Sequence, residues 1–451
     1  MVDIVRPQHR LACRRSLVIC ILAAIIVTGL QLAPAKRLNV ADTFWNSGSS
    51  DYGLIAKSIV SGTGFALDGN TPTAHRPPLY PLFLSILLHV SDSAQLIVWT
   101  QSLLAGLTVG ILGFLAILVT EREWAAILVL LQYLTMQDII FENTQQRETG
   151  LFSFFLICSA LLFVLAAKSR STPKVLSLGI CLGLLCLARP YAMVICPVLL
   201  VWLVVMTQNG LTRRQMLSQS IVLVSGFLFT LLPWGLWNTI NLGQFTMTST
   251  TTGLNIWKGN NPATDVLYPS LDVDVMDELV IGDQPSGDGW WNDIAGVEQM
   301  SEVERDRLLL KLAVKYMTEA PVRFIRMGVV KLYALWTPKS VPFGTGKVEW
   351  TSTGAQIVDF HPNGSRPLVY IFLYFLMGVG IWRLRASPIV PYLIAWILFC
   401  SAVHFVTFGE TRFRWPINLL SLPVSSAGAV WLLERGLVAV SVVSGRRNVP
   451  Q

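Results

Sequence analysis

The chain has 451 residues, of which 53% are hydrophobic and 14% charged, and its formal net charge is +7. A soluble domain carries about 25% charged residues, so this composition argues against a soluble chain and predicts a single integral membrane domain over residues 1–451. The excess of Lys and Arg does not indicate nucleic-acid binding, because basic residues collect in the cytoplasmic loops of membrane proteins. The seven cysteines lie in apolar runs or in the basic N-terminal stretch, so no disulfide framework is expected.

Long apolar runs predict transmembrane helices along most of the chain. A helix needs about 20 apolar residues to cross a bilayer. The clearest runs contain no Asp, Glu, Lys or Arg and are Ser16–Ala33, Ala94–Val119, Thr149–Ala167, Gln215–Leu242 and Trp415–Leu433. Weaker candidates are 124–141, two short helices broken at Arg189-Pro190, 367–382 and 388–407. We therefore expect an all-α polytopic protein with a bundle of about 10 to 12 transmembrane helices.

Basic segments between these runs predict the orientation. Such segments precede the first run, which is interpreted as a retained signal anchor, and recur later in the chain. They contain Arg6, Arg10, Arg14, Arg15, Lys168, Arg170, Lys174, Arg213, Arg214, Arg383, Arg385, Arg435, Arg446 and Arg447. With these segments in the cytoplasm, the parity of about ten crossings places two large loops, 34–93 and 242–366, on the extracytoplasmic side of the plasma (inner) membrane.

Two segments complicate this topology. The apolar segment Pro77–Val90 is too short to cross alone, so we expect it to dip into the membrane or lie at its outer surface. The amphipathic segment 321–336 predicts an interfacial helix. If that segment crosses instead, everything after it is inverted and the C-terminus lies outside.

Ionisable residues avoid the predicted spans and collect in the outer loops, which favours chemistry at the outer membrane surface over transport. In the first loop, Asp51 opens an amphipathic segment. It either caps the N-terminus of that helix or has a functional role at the outer membrane surface. Arg76 directly precedes the apolar segment and lies four residues before Tyr80. It would either neutralise a phosphate at the headgroup level or anchor the chain to lipid headgroups.

A short outer loop between two spans carries Glu142, Arg147 and Glu148. Glu148 either caps the next span or faces Asp51 across a cavity. In the second case these carboxylates, with Glu142 as a competitor, would hold a divalent cation or divide acid and base roles. Arg189 breaks a pair of short apolar helices and needs a partner at that depth, either an anionic ligand or one of the two glutamates.

The second large loop carries Lys258, Asn260 and Asn261 in one turn, a composition typical of carbohydrate or phosphate contact. The acidic stretch 265–306 is interpreted as solvated surface. Near its end, residues 301–304 read Ser-Glu-Val-Glu and predict a capping box that opens a helix ending at about residue 318.

Taken in order, these elements resemble the GT-C glycosyltransferases. The resemblance is to family 39 and its bacterial relatives, which include the protein O-mannosyltransferases and the aminoarabinose transferase that modifies lipid A. It covers residues 50–420 and rests on several dispersed elements. They are Asp51-Tyr52, Arg76-Pro77-Pro78-Leu79-Tyr80-Pro81, Arg147-Glu148-Thr149, Leu187-Ala188-Arg189-Pro190, Pro233-Trp234 with Asn238, Gly259-Asn260-Asn261-Pro262, Glu304-Arg305-Asp306 and Arg412-Phe413-Arg414-Trp415-Pro416.

The resemblance implies an enzyme that moves a sugar, usually with inversion, from a polyprenyl-phosphate carrier to a glycan, lipid or protein acceptor outside the cytoplasm. Asp51 would be the general base and Glu148 the second acidic residue, a position where the family often has Asp. A divalent metal ion held by Asp51, Glu148 and Glu142 is left open, and membrane lipids are the remaining partners. The residues implied to bind substrate or phosphate are Arg76, Tyr80, Arg189, Lys258, Asn260, Asn261, Arg412 and Arg414.

Two other functions stay open. A lipid-linked sugar flippase or transporter needs polar residues buried in its spans, and these are scarce here. An enzyme resembling the O-antigen ligases would use a pyrophosphate-linked donor and rely on basic and histidine residues in a late outer loop, where His361 and His404 are weak candidates.

Overall fold

The computed structural model describes residues 7–35, 44–45, 50–142, 145–169, 171–206, 212–275, 290–351, 354–364 and 366–443. Four of the basic residues used to predict the orientation, Arg6, Arg170, Arg446 and Arg447, lie outside the described residues.

Most of the described chain is helical, which confirms the predicted all-α class. The first helices in chain order are α1 (Pro7–Ala35), α2 (Ser50–Val60), α3 (Leu79–Val90), α4 (Ala94–Thr120), α5 (Ala125–Thr135), α6 (Gln137–Glu142), α7 (Thr149–Ser169), α8 (Thr172–Ala188) and α9 (Ile195–Met206). They are followed by α10 (Arg213–Leu242), α11 (Thr252–Lys258), α12 (Thr264–Leu267), α13 (Glu302–Glu319), α14 (Pro321–Trp336), α15 (Pro367–Arg383), α16 (Ile389–Val406) and α17 (Thr411–Val443).

Six helices of the described chain are long and apolar enough to cross a membrane, so the protein is a polytopic membrane protein. The six segments are Arg15–Leu32, Ala94–Thr120, Thr149–Ser169, Arg213–Leu242, Ile389–Val406 and Thr411–Val438. Shorter apolar helices are Leu79–Val90, Ala125–Thr135, Thr172–Ala188, Pro190–Leu199 and Pro367–Arg383. The predicted count of about ten crossings includes several of these shorter helices, and it stays a prediction, as does the orientation.

Small residues let the helices of the bundle approach closely. Helix α8 packs along α10, and α15 packs along α17. A Cβ added at Gly179 would overlap the backbone oxygen of Leu223, and one added at Gly380 would overlap the backbone oxygen of Val424. Since apolar side chains gain little by leaving lipid, close van der Waals packing of this kind holds membrane helices together.

The described residues of the region 242–366 include helices that pack on one another and on the bundle. Helix α11 packs on α13. Helix α13 begins at the predicted capping box, in which the side chains of Ser301 and Glu304 each accept a hydrogen bond from the backbone N–H of the other. The region also contains an antiparallel hairpin, β1 (Gly344–Thr351) paired with β2 (Gly354–Pro362), which the sequence analysis did not anticipate.

The interpretation of residues 265–306 as solvated surface is wrong for several of its carboxylates. Asp306 accepts hydrogen bonds from the backbone N–H groups of Gly253 (2.6 Å) and Leu254 (3.2 Å) at the start of α11. Asp274 accepts from two cations of the cavity described below. Charge composition alone does not show which acidic residues accept hydrogen bonds from buried donors. The acidic composition of 265–306 therefore predicted solvent exposure where the fold provides partners.

Helix α14 has one exposed apolar face and one buried face. The exposed residues are Val322, Ile325, Val329 and Tyr333, each more than half exposed. Lys331 on the other face is completely buried, and its Nζ donates to Asn260 Oδ1 at 3.1 Å. The exposed stripe is what an interfacial helix requires; whether α14 crosses the membrane stays a prediction.

Candidate active site

A polar cavity of about 500 Å³ lies where the two loop regions meet the ends of several bundle helices. It is lined by residues from α2, α6, α7, α8, α11, α16 and α17 and from the segments that join them. Most of the sequence-predicted charges therefore converge on one site. The charged residues of the lining are Asp51, Arg76, Glu142, Arg147, Glu148, Arg189, Lys258, Asp274 and Arg412.

Asp51 lies in the first turn of α2 and forms an ion pair with Arg76. Arg76 donates through Nε (3.0 Å) and Nη2 (2.8 Å) to Asp51 Oδ2. The side chain of Asp51 is 28% exposed and that of Arg76 is 29% exposed. The Asp51 carboxylate is therefore held in one orientation and stays accessible from the cavity. The sequence had left helix capping open for Asp51, and its side chain instead binds Arg76.

His75 Nε2 lies 3.6 Å from the same Asp51 oxygen. Burial, and then the adjacent Arg76 charge, lower the pKa of His75 to about 3. The imidazole is thus neutral at physiological pH, and the cation beside Asp51 is Arg76.

Glu148 forms a buried ion pair with Arg189 between the ends of α7 and α8. Arg189 Nε lies 2.7 Å from Glu148 Oε1, and Arg189 Nη2 donates to Thr149 Oγ1 at 2.6 Å. Burial tends to raise the pKa of Glu148, but the Arg189 charge and the hydrogen bonds from Arg189 and Tyr52 outweigh burial and lower it below its usual value. Of the two partners that the sequence left open for Arg189, the glutamate is present.

Glu142 is paired as well. Its side chain is 2% exposed, and it accepts hydrogen bonds from Arg147 (3.1 Å) and Thr149 (2.9 Å). Asp51, Glu142 and Glu148 therefore each contact a different arginine.

This pairing does not fit the metal ion left open by the sequence analysis. A divalent cation needs several carboxylate or carbonyl oxygens directed at one point, whereas the carboxylates of Asp51, Glu142 and Glu148 are each directed at a guanidinium. Among the described residues there is also no group of three or more His, Cys, Asp or Glu side chains that could hold a metal ion.

Lys258 and Arg412 share the carboxylate of Asp274. Lys258 Nζ lies 3.1 Å from Asp274 Oδ1, and Arg412 Nη2 lies 2.7 Å from Oδ2. Burial tends to raise the pKa of Asp274, but the charges of Arg412 and Lys258 outweigh it and hold that pKa well below its usual range. Arg412 also contacts Glu410 (2.9 Å) and Asp272 (3.6 Å), so carboxylates already neutralise this part of the cavity.

Four residues singled out in the sequence lie outside the cavity lining. Tyr80 is buried and donates to Gln101 Oε1 at 2.6 Å. Arg414 is completely buried and donates to the backbone oxygens of Leu335 and Thr337. Both side chains join elements of the bundle to one another.

Asn260 and Asn261 are the other two. The Asn260 amide donates to the backbone oxygens of Ile256 (2.7 Å) and Val406 (2.6 Å). Asn261 donates to the Trp257 oxygen at 2.8 Å and accepts from the Thr264 N–H at 3.0 Å. Their amides satisfy backbone groups around α11 and present no polar edge to the cavity, so the structure places Lys258 of this turn at the site and leaves the asparagines behind it.

The cavity includes polar residues to which the sequence analysis gave little or no weight. Three buried atoms at its wall, Arg189 Nη1, Tyr191 Oη and His404 Nε2, make no hydrogen bond of standard geometry among the described residues. Arg189 and the Tyr191 hydroxyl nevertheless interact with each other. The rings of Tyr191 and His404 lie 5.9 Å apart. His404 Nδ1 lies 2.5 Å from the Phe408 backbone oxygen, so Nδ1 carries the proton and Nε2 is a free acceptor. Position after the Arg189-Pro190 break was the one available signal for Tyr191.

The chain was also compared with known proteins. No protein-family model and no curated protein matches it. Among solved structures, an oligosaccharyltransferase of Archaeoglobus fulgidus, tethered to an acceptor peptide with an NVT sequon, is similar with a TM-score of 0.50 and 14% identity. The alignment covers 97% of this chain and 52% of that one. The chain has the GT-C fold.

This GT-C chain thus spans about half the length of the oligosaccharyltransferase that it matches. The archaeal oligosaccharyltransferase AglB from Archaeoglobus fulgidus, in complex with an inhibitory peptide and a dolichol-phosphate, gives a TM-score of 0.49 at 14% identity, covering 97% of this chain and 52% of that one. ArnT from Cupriavidus metallidurans, bound to undecaprenyl phosphate, gives 0.41 at 12% identity, covering 91% of this chain and 77% of that one. The fold predicted by the resemblance is confirmed, and the more specific resemblance to family 39 stays a prediction.

Proposed function

We propose that the protein is a membrane glycosyltransferase that moves a sugar from a polyprenyl-phosphate donor to an acceptor on the extracytoplasmic side of the plasma membrane. The observation that carries this proposal is the cavity, in which an accessible Asp51 carboxylate and the buried Arg189 share one polar space in a chain with the GT-C fold. Similar solved structures hold dolichol-phosphate or undecaprenyl phosphate, which supports a lipid-linked donor.

Asp51 serves as the general base in this proposal. Its carboxylate accepts the proton of the acceptor hydroxyl or amine while that oxygen or nitrogen attacks the anomeric carbon. The bond from the anomeric carbon to the phosphate oxygen breaks, and polyprenyl phosphate leaves with the electron pair, which inverts the anomeric centre. Arg76 holds the Asp51 carboxylate in one orientation, as a general base requires.

The donor phosphate is assigned to the wall formed by Arg189 and Tyr191. Arg189 Nη1 and the Tyr191 hydroxyl are buried at this wall and interact with each other, and both stabilise negative charge as the phosphate leaves. His404 Nε2, a free acceptor, fits a sugar hydroxyl beside that phosphate. Lys258 and Arg412 are assigned a lesser role, because both already contact Asp274 and Arg412 also contacts Asp272 and Glu410.

Asp51→Asn tests this function. The protein is reconstituted in nanodiscs with a panel of labelled polyprenyl-phosphate sugars. Lipid, polysaccharide and protein fractions from a strain that lacks the chain serve as acceptors, and transfer to them is measured by mass spectrometry. Since positioned general bases contribute about 10²- to 10⁴-fold, we expect at least about a 100-fold loss of transfer with normal expression and donor KM.

The matched control is Asp92→Asn, which makes the same change in an exposed loop between α3 and α4. Near-normal transfer by Asp51→Asn would remove Asp51 from catalysis. The same panel separates the alternatives: a preference for pyrophosphate-linked donors supports the ligase-like reaction. Movement of labelled lipid between leaflets without loss of its sugar supports a flippase.

A further inference from the structure

Glu302 joins the two loop regions from outside the cavity lining. It is the first residue of α13, and its carboxylate accepts three hydrogen bonds from residues distant in the sequence. Thr73 Oγ1 donates to Oε2 at 2.6 Å, and both the Ala74 N–H (2.7 Å) and Thr250 Oγ1 (3.1 Å) donate to Oε1. One carboxylate thus fixes the segment around 73–74 against the segment around 250.

The segment that Glu302 holds leads directly into the cavity. Thr73 Oγ1 accepts the His75 N–H at 3.0 Å, and the Ala74 oxygen accepts the Thr250 N–H at 3.0 Å. Thr73 is 4% exposed and Ala74 fully buried, so water does not replace these bonds. Arg76, two residues after Ala74, is the cation that orients Asp51.

We propose that Glu302 is a positioning residue for the transfer reaction, acting through residues 73–76 on the Arg76–Asp51 pair; this inference rests on the proposed function. Its two oxygens satisfy donors that an alanine would leave unpaired, including the buried Ala74 N–H. The segment would then shift, and Arg76 would no longer meet Asp51 at the observed distance. Gln keeps an acceptor for Ala74 and can donate to the Thr73 hydroxyl, so the geometry survives in Glu302→Gln.

The test compares Glu302→Ala, Glu302→Gln and Thr73→Val in the nanodisc transfer assay. A shift of 1 Å at a reacting group can cost about 100-fold in rate. We therefore expect kcat to fall about 10- to 100-fold in Glu302→Ala and in Thr73→Val, with the donor KM within about twofold of wild type. Glu302→Gln should keep kcat within about threefold of wild type.

Glu304→Ala is the matched control. It removes the carboxylate two residues further along, which completes the capping box with Ser301 and makes no bond to the 73–74 segment in the described chain. It should lower thermal stability through the start of α13 and leave kcat unchanged. An equal loss of kcat in Glu304→Ala and Glu302→Ala would show that only the helix start matters and would overturn the inference.

Two further outcomes separate this inference from the proposed function. If Asp51→Asn is inactive but Glu302→Ala keeps the wild-type kcat, the inference is overturned and the proposed function stands. If Glu302→Ala does not fold, a wild-type kcat in Thr73→Val has the same meaning. Full transfer by Asp51→Asn overturns the proposed function whatever the Glu302 variants do.

Discussion

The buried pair of Arg189 and Glu148 gives the strongest energetic prediction. The side chains are 7% and 15% exposed, and the charged atoms lie 2.7 Å apart. Removing one partner of such a pair costs about 3–5 kcal/mol, because the other charge is left buried and uncompensated. We expect this loss for Arg189→Met, which strands Glu148, and for Glu148→Gln, which strands Arg189. Thr149 still accepts from Arg189 in the second variant, which places its cost nearer about 3 kcal/mol.

The double variant Arg189→Met/Glu148→Gln leaves no buried charge at this position. Contacting residues show coupling energies of about 0.5–3 kcal/mol, and here we expect a coupling at the upper end of that range. The measurement is a double-mutant cycle of unfolding in mixed SDS micelles, with all four proteins in one detergent. A double variant as unstable as the sum of the two single variants would refute the reasoning.

The same four proteins separate stability from function. If Arg189 contacts the donor phosphate, the double variant recovers stability and does not recover transfer. A double variant that recovers both would show that Arg189 acts only as the partner of Glu148.

Two further predictions concern single groups. Tyr191→Phe removes one buried hydrogen-bond donor from the proposed phosphate wall and keeps the ring. Since a hydrogen bond to a charged group contributes about 1.5–3 kcal/mol, the KM for the sugar donor should rise about 10-fold or more. An unchanged KM would contradict the phosphate assignment. Burial lowers the pKa of Lys331 to about 7, whereas a lysine in an unfolded chain has a pKa of about 10.4. Between these values the unfolded state binds more protons than the folded state. The free energy of unfolding should therefore rise with pH from 7 to 10. Lys331→Met should abolish that rise in unfolding measurements at several pH values, and a slope that persists in the variant would assign it to another group.

The sequence predicted the parts of the site that follow from charge and helix breaks. Apolar runs predicted the six long helices, and charges confined to the ends of such runs must meet at the ends of the bundle, as Asp51, Arg76, Glu148 and Arg189 do. The pairing of those charges was not predictable, because Arg189 had two glutamates within reach in the sequence.

The roles of neutral polar residues were less predictable. An asparagine in a loop satisfies backbone groups as readily as a ligand, and Asn260 does so with Val406, a residue distant in the sequence. Lys258, the last residue of α11, lines the cavity and contacts Asp274. His404 lies in an apolar helix where no local pattern marks it, and only the packing of α16 beside Tyr191 brings its Nε2 to the cavity.

The distribution of charge pairs favours Asp51 over the other carboxylates of the cavity as the proposed base. Glu142 and Glu148 are 2% and 15% exposed, against 28% for Asp51, so their carboxylates are less accessible to an incoming hydroxyl. Asp274 is exposed, but its two oxygens are bound to Lys258 and Arg412. Asp51 combines accessibility with a single oriented guanidinium, whose two donors share one oxygen. Fixed dipoles and charges of this kind stabilise a developing anion without reorganisation, so the paired residues form the polar framework in which Asp51 acts.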